Sequence, residues 1–386
     1  MEPPTKLECD RESHVSKTIL ITGGAGFIGS HLADEMLRGD WRVRALDSLI
    51  GQVHETCQRP AYLADDVELI VGDVRDPGCV RRALDGVDAV VHLAARVGVG
   101  QSMYDIAEYT SVNCAGTATL LQVLLDHPVQ QLVVASSMSV YGEGLYAGAA
   151  GRIVDAAERS REQLERAEWD PVDDAGRPLS PLPTPEDKPP SLSSIYALGK
   201  FDQERMCLLF GSAYHVPVTA LRFFNVYGPR QALSNPYTGV LAIFAGRLLN
   251  ARAPLIYEDG RQRRDFVSVY DVARACRQSL ERPGSPEGRI LNVGSGDSVS
   301  VLEIADELAG VMGREHIAAQ VTGKYRVGDI RNCFADIGRA RETIGYRPAV
   351  VRADGMAELA DWLAGEVATD RVDDAAAELA ARGLTV

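Results

Sequence analysis

Short apolar runs and longer amphipathic stretches alternate along the first half of the chain. The runs are rich in β-branched residues and predict strands, whereas the longer stretches place apolar residues three and four apart and predict helices. The predicted strands are Thr18–Thr22, Arg42–Asp47, Val67–Val71, Ala89–Leu93, Gln131–Ala135 and Val218–Phe223, and the helices between them include Ser30–Arg38, Pro77–Leu84 and Ala115–Leu125. Strands separated by helices pair in parallel with right-handed crossovers. The pattern therefore predicts an α/β fold with a doubly wound parallel sheet.

The alternation stops between Gly142 and Ser194. This stretch contains small residues, a charged segment with a helical pattern (Ala156–Glu168) and a proline-rich segment (Pro178–Pro190). A loop of this size inside a compact domain is usually functional or partly disordered. Short strands and helices follow from Tyr237 to about Pro348, and an Ala- and Leu-rich helix is predicted near Asp370–Ala381.

Composition and charge exclude several classes of function. The chain has 386 residues, 46% of them hydrophobic, which is enough for two lobes with substantial cores. Its net charge of −14 argues against nucleic acid as a partner, because phosphate binding needs clustered Lys and Arg. No run of eighteen apolar residues is present, so no membrane span is expected. The polar first residues, 1–16, predict a flexible leader rather than a signal peptide.

Cysteine usage indicates reduced thiols. The seven cysteines are scattered singly without a C-x-x-C pair, at positions 9, 57, 79, 114, 207, 276 and 333. This spacing is typical of a cytoplasmic protein and fits neither a disulfide framework nor a metal site.

A glycine-rich loop follows the first predicted strand. Gly23, Gly26 and Gly29 stand in a G-x-x-G-x-x-G pattern that leads into a helix at Ser30. Such glycines let the backbone approach a pyrophosphate, and the helix N-terminus supplies N–H groups and partial positive charge. The second strand ends at Asp47, where a carboxylate would bind ribose hydroxyls and repel a 2′-phosphate. The loop and Asp47 together favour NAD over NADP.

The ends of the third and fourth strands fit the same cofactor. Asp73, in Gly-Asp-Val, could accept a hydrogen bond from the adenine amino group. Leu93, Ala94 and Ala95 are small enough for a cofactor to lie flat against them. His92 is better explained as a satisfied interior histidine than as a catalytic group.

Tyr196 and Lys200 are candidates for the chemical step. They are four residues apart at the start of a periodic stretch, so they share one helical face. A free phenol has a pKa of about 10, but a neighbouring ammonium and a positive nicotinamide ring would both lower it. The phenolate could then take a proton from a sugar hydroxyl while hydride leaves the same carbon. Ser137, at the end of the fifth strand, could bridge Tyr196 and the substrate oxygen.

These motifs, in this order, resemble those of the extended short-chain dehydrogenase/reductase family, and specifically its nucleotide-sugar epimerases and dehydratases. The resemblance covers roughly Lys17 to Pro348 and implies a Rossmann fold with a smaller C-terminal α/β lobe. The motifs are TGGAGFIG (22–29), GDVRD (72–76), HLAA (92–95), SSMSVYG (136–142), YALGK (196–200), RFFNVYGPRQ (222–231), RDFVSVYDV (264–272), NVGSG (292–296) and RVGDIRNCFAD (326–336).

The resemblance assigns roles by position. The catalytic residues implied are Ser137, Tyr196 and Lys200. The NAD-binding residues implied are Gly23, Gly26, Phe27, Ile28, Gly29, Asp47, Asp73, Val74, Leu93, Ala94, Ala95, Tyr196, Lys200 and Phe223. The substrate-binding residues implied are Ser137, Ser139, Asn225, Ile256, Tyr257, Arg264 and Arg326. Within this last set, Asn225 and the two arginines match positions that hold a diphosphate, and two guanidiniums with an amide are a sensible clamp for that group.

One departure from the family pattern bears on the reaction. The 4,6-dehydratases of the family carry Thr-Asp-Glu where this chain has Ser137, Met138 and Ser139. Without the acidic pair, elimination of water is disfavoured. The resemblance then implies epimerisation, most simply at C4, through a transient keto sugar. A dehydrogenase or reductase, an epimerase acting at another carbon, and a non-catalytic NAD-binding sensor remain alternatives.

The sequence of the second half is most similar to bacterial dTDP-L-rhamnose 4-epimerases and related deoxysugar or antibiotic-sugar epimerases. The implied substrate is a dTDP-, UDP- or GDP-linked sugar, and the implied assembly is a homodimer formed through the helices that carry Asn113–Leu125 and Tyr196–Phe210. Neither a metal nor a membrane is expected.

The expected domain organisation follows from these motifs. The NAD-binding domain comprises 17–228, with 265–283 returning to it and a lid-like insertion at 143–192. The nucleotide-sugar lobe comprises 229–264 and 284–350, and a C-terminal helical segment comprises 351–386. In the insertion, Ala149–Arg152 and Asp174–Arg177 resemble zinc-knuckle turns, but without thiolate or imidazole groups they can hold no metal.

Overall fold

The structure, a computed structural model, describes residues 16–385 apart from 55, 236, 238, 327 and 367–368. The predicted leader, 1–16, therefore lies outside the described residues except for Ser16. The strands are β1 (Thr18–Thr22), β2 (Arg42–Asp47), β3 (Glu68–Val71), β4 (Ala89–His92), β5 (Gln131–Ser137), β6 (Leu145–Ala147), β7 (Ile153–Val154), β8 (Ser180–Leu182), β9 (Val218–Phe223), β10 (Asn225–Tyr227), β11 (Leu255–Ile256), β12 (Arg263–Arg264), β13 (Phe266–Ser268), β14 (Arg289–Val293), β15 (Val299–Ser300), β16 (Gln320–Val321) and β17 (Asn332–Cys333).

The α-helices are α1 (Phe27–Arg38), α2 (Pro77–Leu84), α3 (Val99–Ser102), α4 (Ile106–Thr110), α5 (Gly116–Leu124), α6 (Arg161–Glu165), α7 (Ile195–Tyr214), α8 (Val240–Leu249), α9 (Val269–Glu281), α10 (Val301–Val311), α11 (Gly338–Ile344), α12 (Arg352–Leu363) and α13 (Val372–Ala381). A π-helical turn at Ser111–Ala115 joins α4 to α5. In the described part of the chain, no helix is long and apolar enough to cross a membrane.

Seven parallel strands form the main sheet, in the order β14-β9-β5-β4-β1-β2-β3. The chain moves outward from β1 to β3 and then resumes on the other side of β1 at β4. The connections after β1 and β4 therefore diverge, which opens a crevice at the carboxyl ends of these strands. The predicted doubly wound α/β fold is confirmed.

Apolar side chains on both faces of the sheet hold the helices in place. On β1, Ile19 and Ile21 belong to one buried cluster and Leu20 to the other, because successive side chains of a strand point to opposite faces. The helices α1 and α9 pack against each other on one side, and α2, α5 and α7 cover the other. Burial on both faces explains why these strands are almost continuously apolar in sequence.

A second lobe encloses its own apolar cluster. Phe244 and Leu248 from α8 pack with Ile304 and Leu308 from α10 and with Leu359 from α12. The lobe differs from the expected boundaries. β14 (Arg289–Val293), assigned by sequence to the lobe as part of 284–350, pairs with β9 in the main sheet, and α11 from the same range packs in the core of that sheet. α12, assigned to a separate C-terminal segment, packs in the lobe. The sequence of β14 does not show that it is an edge strand of the main sheet, because this position depends on its pairing with β9.

The insertion at 143–192 is ordered around a small antiparallel sheet, β7-β6-β8. Its helix is shorter than the predicted Ala156–Glu168 and comprises α6 alone. Buried arginines fasten the segment to the second lobe. Arg331 bonds Asp170 of the insertion at 2.8 Å and Asp259 at 2.6 Å, and Arg159 bonds Glu258 at 2.7 Å.

Candidate active site

A cavity of about 610 Å³ lies between the carboxyl edge of the main sheet and the second lobe. Every residue that the sequence singled out for a catalytic, cofactor or substrate role lines it. These residues are Gly23, Gly26, Phe27, Ile28, Gly29, Asp47, Asp73, Val74, Leu93, Ala94, Ala95, Ser137, Ser139, Tyr196, Lys200, Phe223, Asn225, Ile256, Tyr257, Arg264 and Arg326. In the part of 143–192 that the structure describes, no residue lines the cavity, so the insertion lies beside the second lobe and not on the cavity wall. A lid role for it stays a prediction.

The glycine-rich loop forms a closely packed cradle at one end of the cavity. Gly23 has φ +69°, and a Cβ added there would lie 3.0 Å from the amide nitrogen of Ala94. A Cβ on Gly29 would lie 2.2 Å from the carbonyl oxygen of Gly23. α1 begins at Phe27 without a side-chain cap from Gly26, so its first N–H groups are available to an anion. The chain thus fits a dinucleotide pyrophosphate at this point.

We expect Gly29→Ala to weaken NAD binding by roughly 5- to 150-fold. The added methyl group must push the loop away from the carbonyl of Gly23, and such overpacking costs about 1–3 kcal/mol. Isothermal titration calorimetry with NAD measures the effect. Gly310→Ala is a matched control, because a Cβ there meets nothing within 4 Å and Gly310 lies in α10 of the second lobe. Wild-type affinity in the Gly29 variant would contradict this view of the loop.

Asp47 is held rigidly at the end of β2. One carboxylate oxygen accepts a hydrogen bond from the amide of Ala25 at 3.0 Å and the other from the amide of Leu49 at 2.9 Å. His54 approaches to 3.9 Å, but burial lowers the pKa of this histidine, which favours its neutral form. The side chain of Asp47 is thus fixed beside the glycine loop, which agrees with the expected preference for NAD.

Asp73 already has a hydrogen-bonding partner within the chain, which the sequence did not predict. Both of its carboxylate oxygens accept hydrogen bonds from the guanidinium of Arg75, which contacts them at 2.6–3.0 Å. This pairing lowers the pKa of Asp73. An adenine amino group would therefore have to share Asp73 with Arg75.

Tyr196 lies at the start of α7, where two hydrogen bonds fix the backbone. The hydroxyl of Ser194 caps the helix by accepting from the amide of Ala197 at 3.1 Å, and the amide of Tyr196 itself donates to the hydroxyl of Ser102 at 3.0 Å. Ser137 influences the pKa of Tyr196, and its hydroxyl accepts from the amide of Ser139 at 3.1 Å. Ser137 and Tyr196 line the same cavity, and a hydroxyl bridge from Ser137 to Tyr196 and the substrate stays a prediction.

The pKa of Tyr196 differs from the sequence-based expectation. Burial raises it above its ordinary value, and Ser137 opposes this only in part. The ammonium of Lys200 donates instead to the amide oxygen of Gln203, at 2.7 Å. The expectation from sequence that Lys200 lowers the pKa of Tyr196 was wrong. A lower pKa requires the positive charge of a nicotinamide ring next to the phenol.

His92 is the interior histidine that the sequence favoured. It is 1% exposed, and its two ring nitrogens lie 2.7 Å from the hydroxyl of Thr22 and 2.9 Å from that of Thr117. Burial lowers the pKa of His92 to about 3, so the ring is neutral.

The other end of the cavity carries two arginines and an acid. Arg264 donates to the backbone carbonyls of Arg263 and Arg331, each at 3.0 Å, and Arg326 stacks on the ring of Tyr257 at 4.6 Å. Asp329 lies 3.3 Å from Arg326 and 3.7 Å from Arg264. Burial alone would raise the pKa of Asp329, but the nearby arginines hold it below its ordinary value. Asp329 partly offsets the positive charge, and sequence analysis missed it although it stands inside the RVGDIR motif.

Two polar atoms in this part of the cavity have unused hydrogen-bonding capacity. The amide oxygen of Asn225 and the Nε of Arg326 are buried without a hydrogen-bond partner among the described residues. Such atoms are costly unless a ligand satisfies them. The unused N–H of Arg326 fits the diphosphate clamp that the resemblance implied, whereas the amide oxygen of Asn225 can only accept and would bind a donor group of a ligand.

The C-terminal segment also lines the cavity, which the sequence did not predict. An apolar strip of α13 and the residues after it faces the ligand space, namely Val372, Ala375, Ala376, Leu379 and Leu384. Ion pairs fasten the start of this helix to α8: Arg247 bonds Asp373 at 2.8 Å and Arg252 bonds Asp370 at 2.8 Å. The spacing of 372, 375/376 and 379 was a signal of one buried helix face, but it could not indicate which surface that face covers.

The fold and the site define a dinucleotide-binding enzyme whose cavity contains a tyrosine and a lysine from one helix. The chain belongs to the NAD dependent epimerase/dehydratase family, whose model matches residues 19–294. The predictions of this family, of a Rossmann-type fold and of NAD as the cofactor are confirmed.

Individual relatives extend over nearly the whole chain. The sequence is 36% identical over 357 residues to dTDP-L-rhamnose 4-epimerase from Burkholderia thailandensis, covering 91% of this chain and 96% of that protein. Among solved structures, UDP-glucose 4-epimerase from Thermus thermophilus in complex with NAD is similar with a TM-score of 0.71 at 30% identity, covering 91% and 100% of the two chains. UDP-glucuronic acid 4-epimerase from Bacillus cereus, with UDP-glucuronic acid and NAD, has a TM-score of 0.71 at 27% identity, covering 90% and 99%.

Proposed function

We propose that this protein is an NAD-dependent epimerase that inverts C4 of a nucleotide-diphospho-sugar through a transient 4-keto sugar. The observation that carries the proposal is that the buried side chains of Tyr196, Ser137 and Lys200 line the same cavity as the glycine loop and the two arginines. The relatives that match over nearly their whole length include 4-epimerases of nucleotide sugars, which supports both the reaction and the class of substrate.

The chain's own residues can perform the proton transfer. Tyr196 would take the proton of the sugar hydroxyl, and the hydroxyl of Ser137 would bridge the phenol and the substrate oxygen. NAD, which the glycine loop and Asp47 would hold, would supply the acceptor and later the donor of the hydride at the same carbon. Burial raises the pKa of Tyr196, so the phenolate form would depend on the positive charge of a nicotinamide ring held next to the phenol, with Lys200 supporting the proton path.

Arg264, Arg326 and Asn225 would hold the diphosphate while the ketone turns. Binding energy from this remote, unreacting part of the substrate keeps the keto sugar in the cavity between the two half-reactions. Asp329 partly neutralises the positive charge of the two arginines, so the clamp would hold two phosphates without an excess of positive charge.

Epimerisation has two rivals among the reactions of the family. Elimination of water needs an acid/base pair where this chain has Met138 and Ser139, and a methionine thioether can carry out no proton transfer at neutral pH. A dehydrogenase remains the second candidate, because the same Tyr–Ser–Lys set serves net oxidation equally well.

An assay with candidate sugars tests the proposal. The purified protein is incubated with dTDP-L-rhamnose, UDP-glucose, UDP-glucuronic acid and a GDP-linked sugar, and products are identified by proton NMR of the coupling at C4. We expect one of these to be converted into its C4 epimer without net change at the NADH absorbance band. Stoichiometric NADH would instead identify a dehydrogenase, and binding of NAD with no conversion of any nucleotide sugar would support a sensor.

We also propose that the protein forms a homodimer through α5 and α7. Leu198 and Leu209 are 45% and 61% exposed on α7, and their spacing of eleven residues places them on one face. Leu125, which follows α5, is 40% exposed. Exposed apolar residues grouped on neighbouring helices are typical of a self-association surface.

We expect Leu209→Glu to convert the dimer into monomers. A charge placed at the centre of an apolar interface is desolvated without a partner, which costs several kcal/mol. Sedimentation velocity measures the mass, and Val351→Glu is the control because Val351 is 62% exposed on the second lobe. A monomeric wild-type protein, or a dimeric Leu209 variant, would show that this interface is wrong.

Cytoplasmic localisation is part of the same proposal. The six cysteines in the described part of the chain are all free, and four of them are buried: Cys79, Cys207, Cys276 and Cys333. Free thiols persist in a reducing compartment.

A further inference from the structure

Behind the reactive end of the cavity, five polar side chains form a buried network. Lys200 and Gln203 come from α7, His92 from the end of β4, Thr22 from the end of β1 and Thr117 from α5, and none is more than 3% exposed. Because buried donors and acceptors must be matched, the positions of the protons in such a network can be worked out.

The proton of Thr117 settles the state of His92. The hydroxyl of Thr117 donates to the carbonyl oxygen of Asn113 at 2.6 Å, so its oxygen can only accept from other groups. The Nε2 of His92, 2.9 Å away, must therefore carry the proton of the neutral ring. Its Nδ1 then accepts from the hydroxyl of Thr22 at 2.7 Å.

The same constraint fixes the amide of Gln203. Its nitrogen donates to Thr117 at 2.9 Å and to the carbonyl of Ala94 at 3.3 Å. Its oxygen therefore faces the ammonium of Lys200, 2.7 Å away. In this orientation the amide nitrogen also lies 3.2 Å from the Nε2 of His92, an unfavourable contact of two donors. A flipped amide would relieve that contact but would set N–H groups against the ammonium, a carbonyl against the carbonyl of Ala94, and a carbonyl against a hydroxyl whose proton is already used, so the orientation with the oxygen toward Lys200 is favoured.

Lys200 needs this acceptor. Burial lowers the pKa of Lys200 to about 8, while Cys207 and Glu204 on the same helix raise it. The charge of Glu204 is largely taken up by Arg222, which bonds both carboxylate oxygens. Across from Lys200, His92 is neutral, and one turn earlier on α7 the phenol of Tyr196 is protonated. The carbonyl of Gln203 is thus the direct hydrogen-bond acceptor that favours the ammonium.

We propose that Gln203 is a positioning residue for the reaction: its amide oxygen keeps Lys200 charged and in place beside the cofactor site, and Thr117 prevents the amide from turning. The catalytic meaning of this inference rests on the proposed function. Its structural part concerns the protonation of Lys200 and can be tested without any substrate.

The test is an NMR titration of lysine ε-carbons in the full-length protein, with and without NAD. The chain has only five lysines (Lys6, Lys17, Lys188, Lys200 and Lys324), so the spectrum is uncrowded. We expect Gln203→Glu to raise the midpoint of Lys200 by about one pH unit or more, because an opposite charge lies within contact distance. We expect Gln203→Met to lower it by about one unit, because the charged form loses its acceptor.

Two references separate this effect from general disturbance. Lys188 is also buried and donates to the carbonyls of Tyr141 and Pro189, at 2.9 and 3.1 Å, so its titration should stay unchanged in every variant. Gln131→Met removes another buried amide, which bonds the carbonyl of Leu280 far from the cavity, and should leave Lys200 unchanged. If the titration of Lys188 changes in Gln203→Met, the fold is disturbed and Thr117→Val is used as the test variant instead. Thr117→Val should lower the midpoint of Lys200 by a smaller amount.

Midpoints that stay constant, or that move in the same direction in the Glu and Met variants, would overturn the proposal. With the nucleotide sugar that the enzyme converts, the alkaline limb of kcat should follow the two midpoints in opposite directions, and kcat of Gln203→Met should fall about 10- to 100-fold with KM within about threefold. Shifted midpoints in a protein that converts no nucleotide sugar would leave Gln203 as proposed and refute only the epimerase activity. Normal epimerisation with unmoved midpoints would refute only the role of Gln203.

Discussion

Tyr196→Phe should lower kcat on the accepted nucleotide sugar by about 10²- to 10⁴-fold, the range associated with loss of a positioned general base. The substitution removes one oxygen from a side chain that is 9% exposed and leaves the ring in place, so the fold and the cavity should persist. NAD affinity should change little, because the glycine loop and Asp47 are untouched. Steady-state kinetics and calorimetry on the same preparation measure both quantities.

Tyr146→Phe provides the matched control for this experiment. Tyr146 is also buried, and its hydroxyl donates to Glu143 at 2.7 Å, but it lies in the insertion and does not line the cavity. Its loss should reduce stability by about 1 kcal/mol and leave kcat unchanged. Near-normal turnover in Tyr196→Phe would show that another group removes the proton.

Glu204→Ala should destabilise the protein by about 3–5 kcal/mol, which is a large part of the stability of a typical protein. Glu204 is 0% exposed and binds the guanidinium of Arg222 at 2.9 and 2.7 Å, while Ser136 donates to it at 2.7 Å. Without the carboxylate, the positive charge of Arg222 stays buried over the ring of Tyr141 with too few acceptors. Urea denaturation measures the free energy of unfolding.

Two comparisons make this expectation specific to burial. Glu165→Ala breaks the pair with Arg161, whose side chains are 50% and 69% exposed, and should cost at most about 0.5 kcal/mol. The double variant Glu204→Leu with Arg222→Leu removes both charges and should be more stable than Glu204→Ala. A loss below about 1 kcal/mol in Glu204→Ala would indicate that Arg222 finds new acceptors or water.

The parts of the molecule that the sequence predicted well are those with local signals. The strands β1, β2 and β9 have the predicted bounds because each coincides with a short run rich in apolar and β-branched residues, and both the glycine loop and the Tyr196/Lys200 pair are set by short-range spacing. β5 extends two residues beyond the prediction, to Ser137, because β9 continues to pair with Ser136 and Ser137.

What the sequence did not give depends on contacts between distant segments. The charged stretch Ala156–Glu168 has a helical pattern, but only Arg161–Glu165 is helical, because Arg159 turns toward Glu258 and Asp329 of the second lobe. The pKa of Tyr196 likewise depends on how deeply the side chain is buried, which a spacing of four residues cannot show. Gln203 belongs to no sequence motif. Its proposed role follows only from the hydrogen bonds that connect it to Thr117, His92 and Lys200.

The position of α13 has a practical consequence for anyone who prepares this protein. Leu379 lies next to Gly100 of α3, where an added Cβ would be 3.4 Å from it, and Thr385 pairs with the backbone of Arg326, so the last described residues lie beside residues that line the cavity. A purification tag or a fluorescent fusion joined at that end would place foreign polypeptide directly over the mouth of the cavity. Such a fusion should depress ligand affinity even in a perfectly folded sample, whereas the same tag placed ahead of Ser16, next to Asp40, lies at the far end of β1 from the cavity.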